Sequence, residues 1–193
     1  MTTRLGDIIT FLQRAERLKD TLRSGHTAAG RPESTAEHSW RLCLLALLLA
    51  EDMPGVDRLR LLELCIVHDL GEAVSGDIPA TEQRPGLNKA AQERADLEHL
   101  AAPLPADLRE RLLALQDEYD AAATPEAVLA KGLDKIETVL QHATGANPPD
   151  FDYDFNLAYG QARTAAHPLL AALRALADRE TEAAKARALT RGG

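Results

Sequence analysis

His68 and Asp69 close the largely apolar run from Leu59 to Val67. An imidazole beside a carboxylate on a buried helix demands a partner. A carboxylate in apolar surroundings costs on the order of several kcal/mol unless a proton, a cationic side chain or a metal neutralises it. On a helical wheel Asp69 continues the line of Leu62, Cys65 and Ile66, the side that faces a core, and His68 shares a stripe with Leu61, Leu64 and Cys65. His38 repeats the anomaly at the head of the row Leu42, Leu45 and Leu49. One inward histidine is ordinarily a core residue with a backbone hydrogen bond. Two of them with a core-facing aspartate make a donor set suited to a divalent transition metal. A fourth ligand is wanted, and spacing does not choose it. Asp134 lies beside, not on, the stripe of Leu129, Leu133, Ile136 and Leu140, so by spacing alone it is a solvated aspartate.

The elements that must carry these groups read as helices, with no persuasive alternating strand pattern, so the fold class is all-α. A first amphipathic helix is expected from about Asp7 to Arg23, then a loop containing Gly25, Gly30 and Pro32. Ser34 and Glu37 form a capping box that starts a second helix at about Thr35, running to Asp52, with His38 in its first turn. Met53-Pro54-Gly55 breaks it. A third helix capped by Asp57 ends near Asp69-Leu70-Gly71, followed by a short turn through Glu72 and a tight loop, Ser75-Gly76-Asp77-Ile78-Pro79. Further helices are expected from about Asn88 to Ala101, from Ala106 to Ala122, and from a Thr124-Pro125 start to Ala143, with a last pair divided at His167-Pro168.

Composition bounds the reading. A chain of 193 residues, 45% hydrophobic and 4% aromatic, suits one domain with a core at about residues 5–180 and a tail from Lys185 to Gly193 prone to fray. A net charge of −8, with basic and acidic residues interspersed, argues against a nucleic-acid polymer as partner. Cys43 and Cys65 lie inside apolar helices, which predicts reduced core thiols in a cytoplasmic protein. The start has no long apolar stretch, and the run from Leu42 to Ala50 is too short to span a bilayer, so no membrane association is expected.

His38, His68-Asp69 thirty residues on, and Asp134 within Lys131-Gly132-Leu133-Asp134-Lys135-Ile136-Glu137 resemble the His…His-Asp…Asp signature of the HD-domain metal-dependent phosphohydrolases. The resemblance runs from about Leu18 to Leu173 and is nearest to the family's 5'-deoxynucleotidase branch. Its specific pieces are Arg31-Pro32-Glu33-Ser34 leading to Glu37-His38, His68-Asp69-Leu70-Gly71-Glu72 followed by Gly76-Asp77-Ile78-Pro79, and Leu133-Asp134. It implies a helical bundle and one divalent metal, manganese, cobalt or magnesium, held by His38, His68, Asp69 and Asp134. Of these, His68 and Asp134 would also touch substrate. It implies further that Glu72 is the carboxylate that orients or deprotonates the attacking water, and that Asp77 reaches the sugar or assists proton transfer. Ile78 and Pro79 would lie against the nucleotide, and Arg23 would take the phosphate with its planar fork of donors. His26 stands where the family usually has tryptophan, a departure that bears on base or sugar selectivity. A homodimer is implied as well.

The implied reaction is hydrolysis of (deoxy)nucleoside 5'-monophosphates to nucleoside and phosphate. Glu72 is followed by Ala73, without the Glu-Asp pair of the guanosine tetraphosphate hydrolases. No Gly-Tyr-Pro segment occurs, and no extra histidines closely follow His68-Asp69 to hold a second metal. Two alternatives remain: another phosphomonoester or a phosphodiester as substrate, or a metal-binding regulatory protein without turnover. Lys89 and Glu93 read as an exposed ion pair, His99, His142 and His167 as structural or surface groups, and Trp40 as packing between helices.

Overall fold

The computed structural model of the chain describes residues 2–79 and 89–191. In chain order these form α1 (Thr2–Ala15), a 3-10 turn (Glu16–Lys19), β1 (Leu22–His26), β2 (Pro32–Ser34), α2 (Thr35–Leu48), a second 3-10 turn (Ala50–Asp52), α3 (Arg58–Val67), α4 (Glu72–Ser75), α5 (Lys89–Ala101), α6 (Ala106–Ala121), α7 (Pro125–Thr144), α8 (Tyr153–Ala158), α9 (Gln161–Thr164) and α10 (Pro168–Arg191). The architecture is all-α, as expected, with one small hairpin. Asn88, the expected start of the fifth helix, lies outside the described residues. Where fraying is expected from Lys185, α10 continues to Arg191.

Start signals act where the sequence has them. The Ser34 hydroxyl accepts from the Glu37 backbone N–H while the Glu37 carboxylate accepts from that of Ser34, which satisfies donors that a helix start leaves open. Arg31 forks onto the same carboxylate, at 2.5 and 3.0 Å. Asp57 and Thr124 cap α3 and α7 in the same manner, accepting from Arg60 and Ala127.

The core is built around α7. It packs against α2, α3, α6 and α10, and Leu129, Leu133 and Ile136 from it meet Leu42, Leu64 and Leu170 with almost no exposed surface. This arrangement brings the first turn of α2, the end of α3 and the middle of α7 together at one end of the core.

Two expectations are corrected. The first helix does not reach Arg23: α1 ends at Ala15, and Arg23 stands on β1, which pairs antiparallel with β2, Leu22 opposite Ser34 and His26 opposite Pro32. The pairing is short and irregular in register, and Leu-Arg-Ser-Gly-His carries no alternating apolar pattern, so period-based reading misses it. Trp40 does not pack between helices; it is 66% exposed. Two residues past the inward His38 is about 200° round the helix, the opposite face.

Candidate metal centre and active-site cleft

Three elements deliver the expected ligands. His38 is wholly buried on α2, His68 is buried at the end of α3, Asp69 follows it in the turn, and Asp134 is buried at the middle of α7. His38 Nε2 lies 3.4 Å from Asp134 Oδ1 and 3.7 Å from Asp69 Oδ2; His68 Nε2 lies 3.0 Å from Asp69 Oδ2 and 4.0 Å from Asp134 Oδ1. Donors that share one ion at bond lengths of about 2.0–2.2 Å sit roughly 3–3.5 Å from one another. His38, His68 and Asp69 together meet the spacing of a metal-holding group.

The orientation of the rings fits the same use. His38 Nδ1 is bonded to Glu137 Oε2, and His68 Nδ1 is 2.9 Å from the Cys65 carbonyl. Each Nδ1 is thereby engaged, which points Nε2 of each ring at the shared space, where the neutral ring offers a lone pair to an ion. Both Nε2 atoms are buried and make no hydrogen bond, an arrangement that costs free energy unless a ligand completes it. Two imidazoles with orphaned nitrogens, together with two carboxylates, fit a divalent cation.

A surrounding set of side chains holds this centre. Glu137 is 1% exposed and pairs through Oε1 with Arg41 Nε at 2.6 Å. Asp134 Oδ2 accepts from the Tyr119 hydroxyl at 2.8 Å and lies 2.9 Å from Lys135 Nζ. Burial opposes ionisation of Asp134, yet Lys135 and His38 outweigh it and hold the carboxyl well below its usual range. Asp69 is likewise depressed against burial, by His68 and Arg23.

A cleft of about 280 Å³ opens from the centre, with Asp69 and Asp134 in its wall. Arg23 enters it from β1, its Nη1 3.3 Å from Asp69 Oδ2 and its Nη2 3.2 Å from Thr138 Oγ1. Burial disfavours that charge, but the Asp69, Asp77 and Asp134 carboxylates outweigh it and raise the guanidinium above its ordinary value. Glu72 stands on α4, 5% exposed, and accepts from the Thr35 hydroxyl at 2.9 Å. Burial, reinforced by the Asp69 and Asp77 carboxylates, pushes Glu72 up to about 9. Gly76, at φ 86°, turns the chain after α4 so that Asp77, Ile78 and Pro79 also line the cleft. Lys89, read as an exposed ion pair, does pair with Glu93 at 3.0 Å but lines the cleft too.

The other expected substrate residue stands apart. His26 does not line the cleft; its carbonyl accepts from Gln141 Nε2 at 2.6 Å, and the β1 residue beside Arg23 in the wall is Ser24. Asp134, a solvated aspartate by spacing, is 4% exposed because α7 is buried round most of its circumference. Sequence reasoning missed Thr138 and His142, which line the cleft, and Glu137 behind His38. The signal available was Asp134, Thr138 and His142 at four-residue intervals, a polar stripe on a helix whose other stripe is apolar.

The HD domain family model matches residues 15–174. The human 5'-deoxynucleotidase HDDC2 is 32% identical over 136 residues, 69% of this chain and 66% of that protein. The 5'-deoxynucleotidase hdd1 of Schizosaccharomyces pombe is 34% identical over 143 residues, 69% of this chain and 70% of that one. The chain thus spans about two thirds of the length of these curated relatives. A crystal structure of a predicted metal-dependent phosphohydrolase from Magnetospirillum magnetotacticum MS-1 superposes with a TM-score of 0.73 at 27% identity, covering 96% of this chain and 97% of that one. With a match that takes in all four expected ligand positions and most of the chain, the protein belongs to the HD domain family.

Proposed function

We propose that this protein is a metal-dependent phosphomonoesterase that hydrolyses deoxynucleoside 5'-monophosphates to nucleoside and phosphate, and that the chain is one HD domain acting as a cytoplasmic homodimer. The observation that carries the reading is the pair of orphaned imidazole nitrogens facing Asp69 and Asp134 at the end of a cleft that also holds Arg23 and Glu72. The 5'-deoxynucleotidase names of the relatives support the substrate class.

A divalent cation held by His38, His68, Asp69 and Asp134, with manganese, cobalt or magnesium as the candidates, would supply Lewis acidity toward water and the phosphoryl oxygens. The protein's own groups do the rest. Arg23 receives the phosphate, its remaining N–H groups free of the Asp69 and Thr138 contacts. Glu72 orients the attacking water and takes its proton. As the P–O5' bond breaks, its electron pair leaves with the 5'-oxygen, which takes up the proton that Glu72 drew from water, while Asp77 holds the sugar hydroxyl or assists that transfer. Ile78 and Pro79 cover the nucleoside.

No helix among the described residues is long and apolar enough to cross a membrane. Trp40, Leu44, Leu47 and Leu48 form an exposed apolar face on α2, which supports self-association; light scattering measures it.

The test is release of phosphate, or of the ring-opened monophosphate in the case of a cyclic nucleotide, over a grid of three metals, manganese, cobalt and magnesium, against deoxynucleoside monophosphates, other phosphomonoesters and a cyclic nucleotide. Release fastest from deoxynucleoside monophosphates is expected. Faster turnover of another class moves the substrate assignment, and silence in every cell of the grid leaves a metal-binding regulator.

A further inference from the structure

The cleft that holds the expected metal ligands also has an aromatic wall. Phe151, Phe155 and Tyr159 line it, each half-buried, and they are three of only seven Phe, Tyr and Trp residues in the chain. Aromatic rings this scarce are normally spent in the core. Here they stay open to the cleft.

The rings are fixed before any ligand arrives. Phe155 and Tyr159 are one turn apart, at α8 and its end, with centroids 5.8 Å apart and planes inclined by 30°. Phe151 packs edge-on against His142 at 5.1 Å and against Tyr153 at 4.9 Å. Between Phe155 and Tyr159 lies Asn156, fully buried, which accepts from His142 Nδ1 at 2.9 Å and donates to Thr181 Oγ1 at 3.0 Å. These bonds tie α8 to α7 and α10.

The wall is also in register with the phosphate site. Asp134, Thr138 and His142 line the cleft from successive turns of α7, so metal ligand, Arg23 contact and ring support are spread over about 12 Å of helix, comparable to a nucleoside monophosphate lying lengthwise. Lys135 links the aromatic wall to the expected ligands, its Nζ 2.9 Å from Asp134 Oδ2 and 5.2 Å from the centre of the Tyr159 ring. On the β1 side the cleft receives Ser24 and no aromatic ring.

We propose that Phe151, Phe155 and Tyr159 form the surface on which the nucleobase stacks, an assignment that rests on the nucleotidase reading above and extends it. Stacking uses the π-face that every base has and reads no hydrogen-bond pattern, so the site accepts a range of bases and gains affinity from their area.

The test compares Phe151→Leu and Phe155→Leu with the wild type in saturating metal, using deoxyadenosine 5'-monophosphate as substrate and inorganic phosphate as competitive inhibitor. KM should rise roughly five- to hundredfold, the loss expected for one stacking ring, while kcat changes little. The Ki for phosphate, which touches only the metal site, should stay the same and so report that the variant is folded. Phe155→Trp should keep the wild-type KM. An unchanged KM, or a KM and a phosphate Ki that shift together, overturns the stacking wall and leaves the phosphomonoesterase standing. A wild type inert toward all nucleotides removes the proposed function and the wall with it.

Discussion

Burial, with the Asp69 and Asp77 carboxylates nearby, raises Glu72 to about 9 and so favours its protonated form at neutral pH. A cation bound beside it favours the ionised form by opposite charge, so under the proposed mechanism Glu72 becomes a base only when the centre is loaded. Glu72→Gln preserves shape and can still accept from Thr35. Metal binding should therefore persist while phosphate release falls by about 10² to 10⁴, the usual contribution of a positioned general base; full turnover in that variant, measured by single-turnover phosphate release, removes Glu72 from the role. Glu137 acts at one remove. It fixes the His38 ring through Nδ1 and is itself held by Arg41. Glu137→Ala should weaken metal binding about ten- to hundredfold, as loss of such outer partners does, with Glu137→Gln in between because its amide oxygen still accepts from Nδ1–H. Titration calorimetry with manganese separates the three proteins.

Elements hold these residues through a few cross-links, and the His142–Asn156 bond between α7 and α8 is one whose imidazole is buried and titratable. Burial pushes the His142 imidazole down to about 4, from an ordinary value of 6.5. The unfolded chain thus binds a proton at a higher pH than the folded one. The contribution of His142 is complete above about 6.5 and is lost progressively as pH falls toward 4. Melting temperature measured across that window should drop for the wild type and drop less for His142→Gln, which does not titrate. A slope identical in both proteins shows that other groups set the acid sensitivity. The helices themselves were legible because capping boxes, Pro-Gly breaks and apolar stripes are local signals, and the starts at Ser34, Asp57 and Thr124 obey them. The β1–β2 hairpin was not, since a five-residue strand with glycine inside it is decided by its partner. His38, His68 and Asp69 could be found as polar intrusions on apolar stripes. Asp134 could not be found by spacing, because α7 buries a polar stripe as well as an apolar one and the wheel rewards only the second; the family resemblance supplied it. The aromatic wall of the cleft left no periodic mark at all, coming from a loop and a six-residue helix.

For the whole molecule, the centre joins three segments that are far apart in sequence, α2, the turn after α3, and α7, and its effect on stability follows from what holds them without an ion. Small metal domains that lack a core unfold when the metal leaves. This chain has a large apolar core running from Leu42 to Leu170, and the two carboxylates proposed as ligands already have cationic neighbours, Arg23 beside Asp69 and Lys135 beside Asp134. The metal-free protein is therefore expected to remain folded, with a measurable but partial loss of stability. A ligand that binds only the folded state adds RT ln(1 + [L]/Kd), about 2.7 kcal/mol at a hundredfold excess over Kd. For a chain of this size that corresponds to roughly 5–10 °C in melting temperature. Scanning calorimetry after chelation and after re-addition of manganese should give that shift in the wild type and almost none in Asp134→Asn, which keeps the bulk of the side chain but not its charge. Cooperative unfolding on chelation alone would mean that the core does not stand without the ion; an identical shift in Asp134→Asn would place the stabilising ion somewhere other than the space between His38, His68, Asp69 and Asp134.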